Sequence, residues 1–192
     1  MTDLVTHKLV KELPLPEHCG FLYQYLFASN GVFVRAKRPN LEVLIPVEMY
    51  KQPIKGLPAI APYVKLAPGK IPKQILTQIW LASRKASPNE ILFHLNFNGS
   101  WKLAIPPQSQ TRTSCQPLSN DRDSSFANAL VEIHSHHNMP AYFSADDDAE
   151  ETGFRIYSVI GQVNDNAEIR TRIGVYGHHW IIPSSLIYEE LI

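Results

Sequence analysis

Apolar and polar positions alternate in short runs along most of the chain. Residues 21–28 (FLYQYLFA), 31–36 (GVFVRA) and 41–47 (LEVLIPV) are apolar, aromatic or branched, and Asn30-Gly31 and Pro39-Asn40 separate them. That pattern predicts a small antiparallel meander. Pro53, Pro58, Pro62, Pro68 and Pro72 follow, a spacing that forbids helix and favours an extended connector wrapped on the surface. Over 72–86 the period changes: Ile75, Leu76, Ile79 and Ala82 recur at helical spacing, Pro72 suits the first turn and Ser87-Pro88 the stop. Residues 90–97 alternate again, with Ile91, Phe93, Leu95 and Phe97 on one face and Glu90, Leu92, His94 and Asn96 on the other. Asn98-Gly99 predicts a hairpin turn, with Trp101 to Ile105 as the returning strand. A polar loop over 108–125, a strand over 128–134 and a short acidic helix over 145–152 closing at Gly153 come next. Two strands, 154–163 and 168–176, flank a turn at Asn164-Asp165-Asn166, and a short helix follows Pro183.

Helix and strand segments are thus interleaved, which predicts an α+β class built on a mixed sheet flanked by helices. The proline-rich stretch is the natural boundary between an N-terminal β-rich region, residues 1–70, and a main domain, residues 71–192. The chain has 192 residues, 44% hydrophobic and 19% charged, enough to bury a core. Eighteen basic residues balance eighteen acidic ones, without a Lys/Arg stripe, which argues against nucleic-acid binding. Cys19 and Cys115 cannot build a disulfide framework or a four-cysteine zinc site, and they read as reduced thiols. No apolar run is long enough to cross a membrane and Met1 to Glu12 contains no targeting pattern, so a soluble cytoplasmic protein is expected.

Eight histidines are present, and three fall in the run Glu132-Ile133-His134-Ser135-His136-His137. On a strand, His134 and His136 project to the same side, which suits two imidazoles on one metal. A third donor is available downstream in Ser144-Ala145-Asp146-Asp147-Asp148. A histidine pair on a strand is commonly only a surface or core feature. Ser144 followed by aspartates also reads as a helix N-cap with acids at the positive end of the dipole, a role compatible with chemistry nearby.

The joint pattern His134, His136, Ser144, Asp147 resembles the JAMM/MPN+ zinc metalloprotease motif, and Glu90, at the start of a strand after a helix, stands where that family has its glutamate. The resemblance covers roughly residues 71–176. It implies a cytidine-deaminase-like core, a zinc held by His134, His136, Asp147 and a water, Glu90 as general acid/base, and Ser144 as a stabiliser of the tetrahedral intermediate. The runs HSHHNMPAYFSADDDAEETG, RIYSVIGQV and IRTRIGVYG resemble more narrowly the PRTRC system protein A branch of that family. That branch implies as partners a ubiquitin-like protein, whose C-terminal amide or isopeptide bond would be cut, and an E1-like, ThiF-type protein. A small-molecule amidohydrolase on the same zinc site and a non-catalytic scaffold are the alternatives.

Several residues compete with this set. Glu132 shares strand parity with His134 and His136 and rivals Glu90 as acid/base; Asp146 and Asp148 rival Asp147. His137 stands where the family often has proline, and strand parity turns it away from the pair. His94 shares a face with Glu90 but reads as a core-edge residue. His178-His179-Trp180 reads as packing, Trp80 and Trp101 as core anchors, and Cys115 has no activating neighbour in sequence.

Overall fold

The computed structural model describes residues 3–119, 121 and 124–190. Met1, Thr2, Leu191, Ile192 and positions 120, 122 and 123 of the expected polar loop lie outside the described residues. The N-terminal part forms a five-stranded sheet from β1 (Val5–Leu9), β2 (Tyr23–Ala28), β3 (Gly31–Arg38), β4 (Leu41–Met49) and β5 (Tyr63–Leu66), in that spatial order. The meander β2–β3–β4 is antiparallel as the alternation predicts, with Asn40 at φ 68° in the tight turn before Leu41. Two strands of this sheet were not expected. β1 pairs parallel with β2, and β5 grows out of the proline-punctuated stretch to pair with β4. That stretch packs on the sheet: Asn30 Nδ2 donates to the Ile60 carbonyl at 2.8 Å, and Ile60 N donates back to Asn30 Oδ1 at 3.0 Å.

Helix α1 (Lys73–Ala86) follows, burying Leu76 and Ile79 and placing Arg84 and Lys85 at its negative end. A second sheet comes from β6 (Leu92–Phe97), β7 (Trp101–Ala104), β10 (Val131–Ser135), β11 (Arg155–Gly161), β12 (Glu168–Val175) and β13 (His178–Ile182). Its order is β13-β12-β11-β10-β6-β7. The β6–β7 turn is a three-residue loop, Phe97 pairing with Trp101, with Gly99 at φ 73°, where a side chain would be strained. The polar loop is partly structured: β8 (Gln108–Gln110) and β9 (Cys115–Pro117) form a small hairpin, and α2 (Ser125–Asn128) is one turn. The acidic helix is α3 (Ala145–Glu150), and a 3-10 turn, Ser184–Leu186, follows Pro183.

The architecture is a strand-rich mixed α/β fold; among the described residues α1 is the one long helix, so helices do not flank the sheet on the scale expected. Within the second sheet β10 and β11 are parallel, whereas the other pairings are antiparallel. Parallel neighbours require a crossover of about a dozen residues or more, and here the crossover is residues 136–154, which contain α3. One apolar cluster joins the two sheets and α1, including Val34, Val43, Ile45, Leu76, Ile79, Phe93, Ile133, Ile156 and Ile173. Arg38 at the end of β3 adds a polar tie, donating to the carbonyls of Ala129 at 3.1 Å and Phe154 at 2.7 Å. No described helix is long and apolar enough to cross a membrane.

Candidate metal centre

Strand alternation sends Val131, Ile133 and Ser135 of β10 into the core and turns Glu132, His134 and His136 to the other face. The antiparallel register sets His134 opposite Leu92 and Glu132 opposite His94, so Glu90, two residues before β6, comes up beside His136. Glu90 is 3% exposed, with Oε1 3.8 Å from His136 Nε2. The crossover then returns over this face and sets α3 against the end of β10.

Three donors converge there. His134 Nε2 lies 3.2 Å from His136 Nε2 and 3.5 Å from Asp147 Oδ1. The donor atoms of His134, His136 and Asp147 all fall within 4.8 Å of one another. Tetrahedral zinc ligation at about 2.0–2.1 Å separates its donors by about 3.3 Å, so the set fits a zinc ion. The protonation states fit too. Burial pushes the His134 imidazole down to about 4 and lowers that of His136 as well, so both rings are neutral at neutral pH, the form that ligates. His136 Nδ1 donates to the Pro140 carbonyl at 3.2 Å, which leaves its Nε2 lone pair free for a metal.

Asp147 is oriented by the helix start itself. Ser144 caps α3: Asp147 N donates to Ser144 Oγ at 3.1 Å, while Ser144 N and Oγ donate to Asp147 Oδ2 at 2.6 and 2.7 Å. Oδ2 is therefore occupied and Oδ1 is presented to His134. The neighbouring aspartates are used otherwise. Asp148 pairs with Arg172, and Asp146 lines the cavity without joining the imidazoles.

Glu90 is unlike its rival. Burial, and then the nearby Asp147 carboxylate, push Glu90 up to about 7, so it exchanges a proton near neutral pH. Glu132 also lines the cavity and burial raises its carboxyl, but Arg155 Nη1 donates to it at 2.9 Å and His94 Nε2 lies 3.6 Å away. It is engaged in an ion pair, and His94 is fully buried beside it, with Nδ1 on Ser125 Oγ at 2.8 Å. His137 points away from the metal donors; its Nε2 donates to the Asn89 carbonyl, bracing the residue before Glu90. His178 contacts Tyr25 at 2.9 Å, and His179 Nε2 donates to the Glu151 carbonyl at 3.1 Å, so both have packing roles. Trp80 Nε1 donates to the Val163 carbonyl at 2.9 Å.

The donors line a cavity of about 520 Å³, one wall of which is the β9 strand carrying Cys115 and Gln116. Gln116 donates to Glu150 of α3, linking the hairpin to the crossover. Burial and the surrounding carboxylates raise the Cys115 thiol, so it is not an activated thiolate.

A match to a family then decides the relationship: residues 72–174, more than half of the chain, match the family described as prokaryotic homologs of the JAB domain. The chain belongs to that family. No curated protein matches it. The matched JAB segment contains α1, the strands β6–β11, β12 up to Gly174, and Glu90, His134, His136 and Asp147.

Two positioning groups within the JAB segment are not evident in the sequence motif. Arg172 of β12 is buried; its Nε donates to Glu151 at 2.7 Å, it pairs with Asp148, and its guanidinium lies 4.0 Å over the Phe143 ring. It therefore clamps both ends of the segment bearing Ser144 and Asp147. Burial still pushes Glu151 up to about 8, against the pull of Arg172. Gly161 is the second. A Cβ there would sit 2.2 Å from Ala141 N and 2.5 Å from the Pro140 carbonyl carbon, so only glycine lets the 139–141 segment lie on β11. That segment supplies the carbonyl that orients His136. An Arg-x-Arg pattern and a glycine inside a strand were visible as residues, but their partners lie about twenty residues away in the chain.

Proposed function

We propose that the chain is a zinc-dependent hydrolase of amide bonds, acting in the cytoplasm as an isopeptidase or peptidase at the C-terminal tail of a ubiquitin-like protein. The observation that carries this is the convergence of His134, His136 and Asp147 with a buried Glu90 carboxylate beside them. The JAB family includes zinc isopeptidases, which supports the reaction class. Zinc held by those three residues would polarise the scissile carbonyl and bring a water's pKa towards neutrality. Glu90, buried beside His136, would take a proton from that water at its carboxylate and return it to the leaving nitrogen. Ser144 lines the cavity with its hydroxyl on Asp147, so its first task is to hold that carboxylate; the oxyanion contact implied by the family resemblance requires the hydroxyl to turn to the substrate.

The resemblance of residues 134–153 to the PRTRC system protein A branch supports a ubiquitin-like substrate and an E1-like, ThiF-type partner. An extended tail suits such a site, because backbone pairing at a strand edge gives affinity without much side-chain selection. A second reading has one observation in its favour: about 520 Å³ is a volume that encloses a small ligand, so a small-molecule amidohydrolase fits the same centre.

The deciding experiment is cleavage of a fusion that carries a ubiquitin-like tail, using zinc-loaded protein. Wild-type protein should cut it, and Glu90→Gln should keep stoichiometric zinc and lose about 10²-fold or more in rate. Glu132→Gln should cost much less. Turnover of a small amide with no cleavage of any such fusion moves the assignment to the amidohydrolase. Zinc-loaded protein inert towards both would make the site a scaffold.

A further inference from the structure

The first sheet has a second polar cavity on its outer face, away from the JAB segment. Alternation on β3 places Arg35 and Lys37 on that face, with Gln24 and Leu44 beside Arg35, Glu42 opposite Lys37, and Lys65 opposite Glu42. Residues 14–18 cross over them and, with Arg35, Lys37, Glu42, Tyr63 and Lys65, line about 590 Å³.

Arg35 is anomalous. It is 4% exposed, yet its terminal nitrogens donate to neutral acceptors, Pro16 O and Gln24 Oε1, both at 2.8 Å, with the Tyr63 hydroxyl also beside it. Its Nε is buried without an acceptor. Gln24 is fixed in that orientation, since its amide nitrogen donates to Cys19 Sγ at 2.9 Å and Thr6 Oγ1 at 3.2 Å, and its oxygen carries no charge. Among the described residues no carboxylate pairs with Arg35, whereas the buried Arg155 pairs with Glu132 and the buried Arg172 with both Asp148 and Glu151. A guanidinium cannot shed its charge by losing a proton, so a buried one without a counter-ion is costly.

The same cavity offers further unpartnered polar groups. His18 Nε2 is buried and has no partner, and Lys37 is exposed and makes no ion pair among the described residues. The acids present do not neutralise the set. Glu42 already accepts from Tyr63 at 2.6 Å and Lys65 at 3.3 Å, and Glu17 is exposed at the rim. Three cations thus face two carboxylates, leaving a net positive pocket floored by a buried guanidinium. Burial and the Arg35 charge lower the His18 imidazole, as expected in a positive field.

We propose that this cavity binds a small oxyanion, a carboxylate or phosphate group, between Arg35, Lys37 and His18. The anion supplies the missing counter-charge for Arg35 and accepts from Lys37 and the His18 ring. The site lies outside residues 72–174, so it gives the N-terminal region a ligand of its own, separate from amide hydrolysis.

The test is calorimetric titration of the zinc-loaded full chain with sodium phosphate and, separately, sodium acetate, against chloride of equal ionic strength. The His18 ring resonances are followed alongside. Saturable binding of at least one anion with a shift of the His18 resonances is expected. Lys37→Ala, an exposed change that leaves the fold intact, should weaken it about tenfold, the loss of one charge-assisted contact. Arg35→Gln should abolish it. Acetate without phosphate would identify a carboxylate group, phosphate without acetate a phosphoryl group, and either outcome supports the site. Absence of saturable binding, or binding unchanged by Lys37→Ala with the His18 resonances still, overturns it. Phosphate binding lost on His134→Ala but not on Lys37→Ala would place the anion at the metal centre and also overturn it.

Discussion

The two faces of the second sheet are made by alternate residues of the same strands, yet they solve opposite problems. On the core face Phe93, Val131, Ile133, Ile156 and Ile173 are fully buried in one apolar cluster. Its polar atoms are neutral hydroxyls bonded to one another: Tyr188 to Ser158 at 2.8 Å, Ser158 with Thr171 at 3.0 Å, and Thr171 with Ser184 at 2.8 Å. On the other face Glu90, His94, His134, His136, Arg155 and Arg172 are almost as buried, but they are ionisable. Burial on the first face stabilises directly. On the second it raises Glu90 and lowers His134, which makes them reactive, and the cost is offset by pairs such as Arg155–Glu132 and Arg172–Glu151. One face gains from the removal of water, whereas the other uses that removal to tune chemistry.

The largest expected effect lies on the core face. Phe93→Ala should cost about 3–5 kcal/mol in unfolding free energy, the usual loss for a fully buried aromatic. Residual folded protein should keep its zinc, measured by metal content after refolding at low temperature. If the variant were as stable as wild type, the core face would not be the one that holds the sheet. Arg172→Ala should come next, at about 3 kcal/mol, the lower end of what losing one partner of a buried pair costs, because Glu151 readily holds a proton. It should also weaken zinc binding, since α3 loses its clamp. A stability loss with unchanged zinc affinity would separate Arg172 from the site.

The difference between the faces also sorts what the sequence discloses. Period-two alternation made β6 and its hairpin readable and put His134 and His136 on one side of a strand, whereas Glu90 was tied to them only by the family resemblance. The helical period of Ile75, Leu76 and Ile79 marked α1, and Ser144 before three aspartates marked the start of α3. These signals are local. The strands that escaped are edge or half-exposed segments with a weak apolar alternation. β1 reads Val-Thr-His-Lys-Leu and pairs with residues 23–27 only after a long excursion. β5 hides among prolines, and β13 begins in the His178-His179-Trp180 run that reads only as packing, although its partner β12 lies just before it in the chain. On the site face, the partners of Arg172 and the close approach to Gly161 depend on the crossover's path over the sheet, which no local pattern encodes. Among the three aspartates, sequence spacing alone left the choice to family resemblance, whereas the capping geometry turns Asp147 towards the imidazoles.

Gly161 tests whether the site face depends on that path. Gly161→Ala should cost about 1–3 kcal/mol, the range for an overpacked position, because the new methyl meets backbone and not a flexible side chain. The 139–141 segment must lift, and the Pro140 carbonyl then leaves His136. Zinc affinity, measured by chelator competition, should fall while the core-face cluster stays packed, as judged by near-ultraviolet circular dichroism. Full zinc affinity in a destabilised variant would mean that His136 does not need that acceptor.

The smallest effect on stability, and the most selective, is expected at Ser144. Its hydroxyl caps a six-residue helix and also holds Asp147 Oδ2, so fold and site share one hydrogen-bonded box. Ser144→Ala should lose about 1 kcal/mol of stability, the ordinary value of an N-cap. The backbone donor from residue 144 remains, so Asp147 keeps one of its two anchors and zinc should still bind, more weakly. Ser144→Thr restores an oxygen at the same place and should recover both properties. Turnover separates the two tasks assigned to this hydroxyl. If it only positions Asp147, the loss of activity in the alanine variant should vanish at saturating zinc. If it also turns to the developing oxyanion, a loss of about 10²-fold should persist at saturating zinc, the scale of one oxyanion donor. The expected loss of stability with undiminished turnover in Ser144→Ala would remove Ser144 from the site altogether and leave it to the fold.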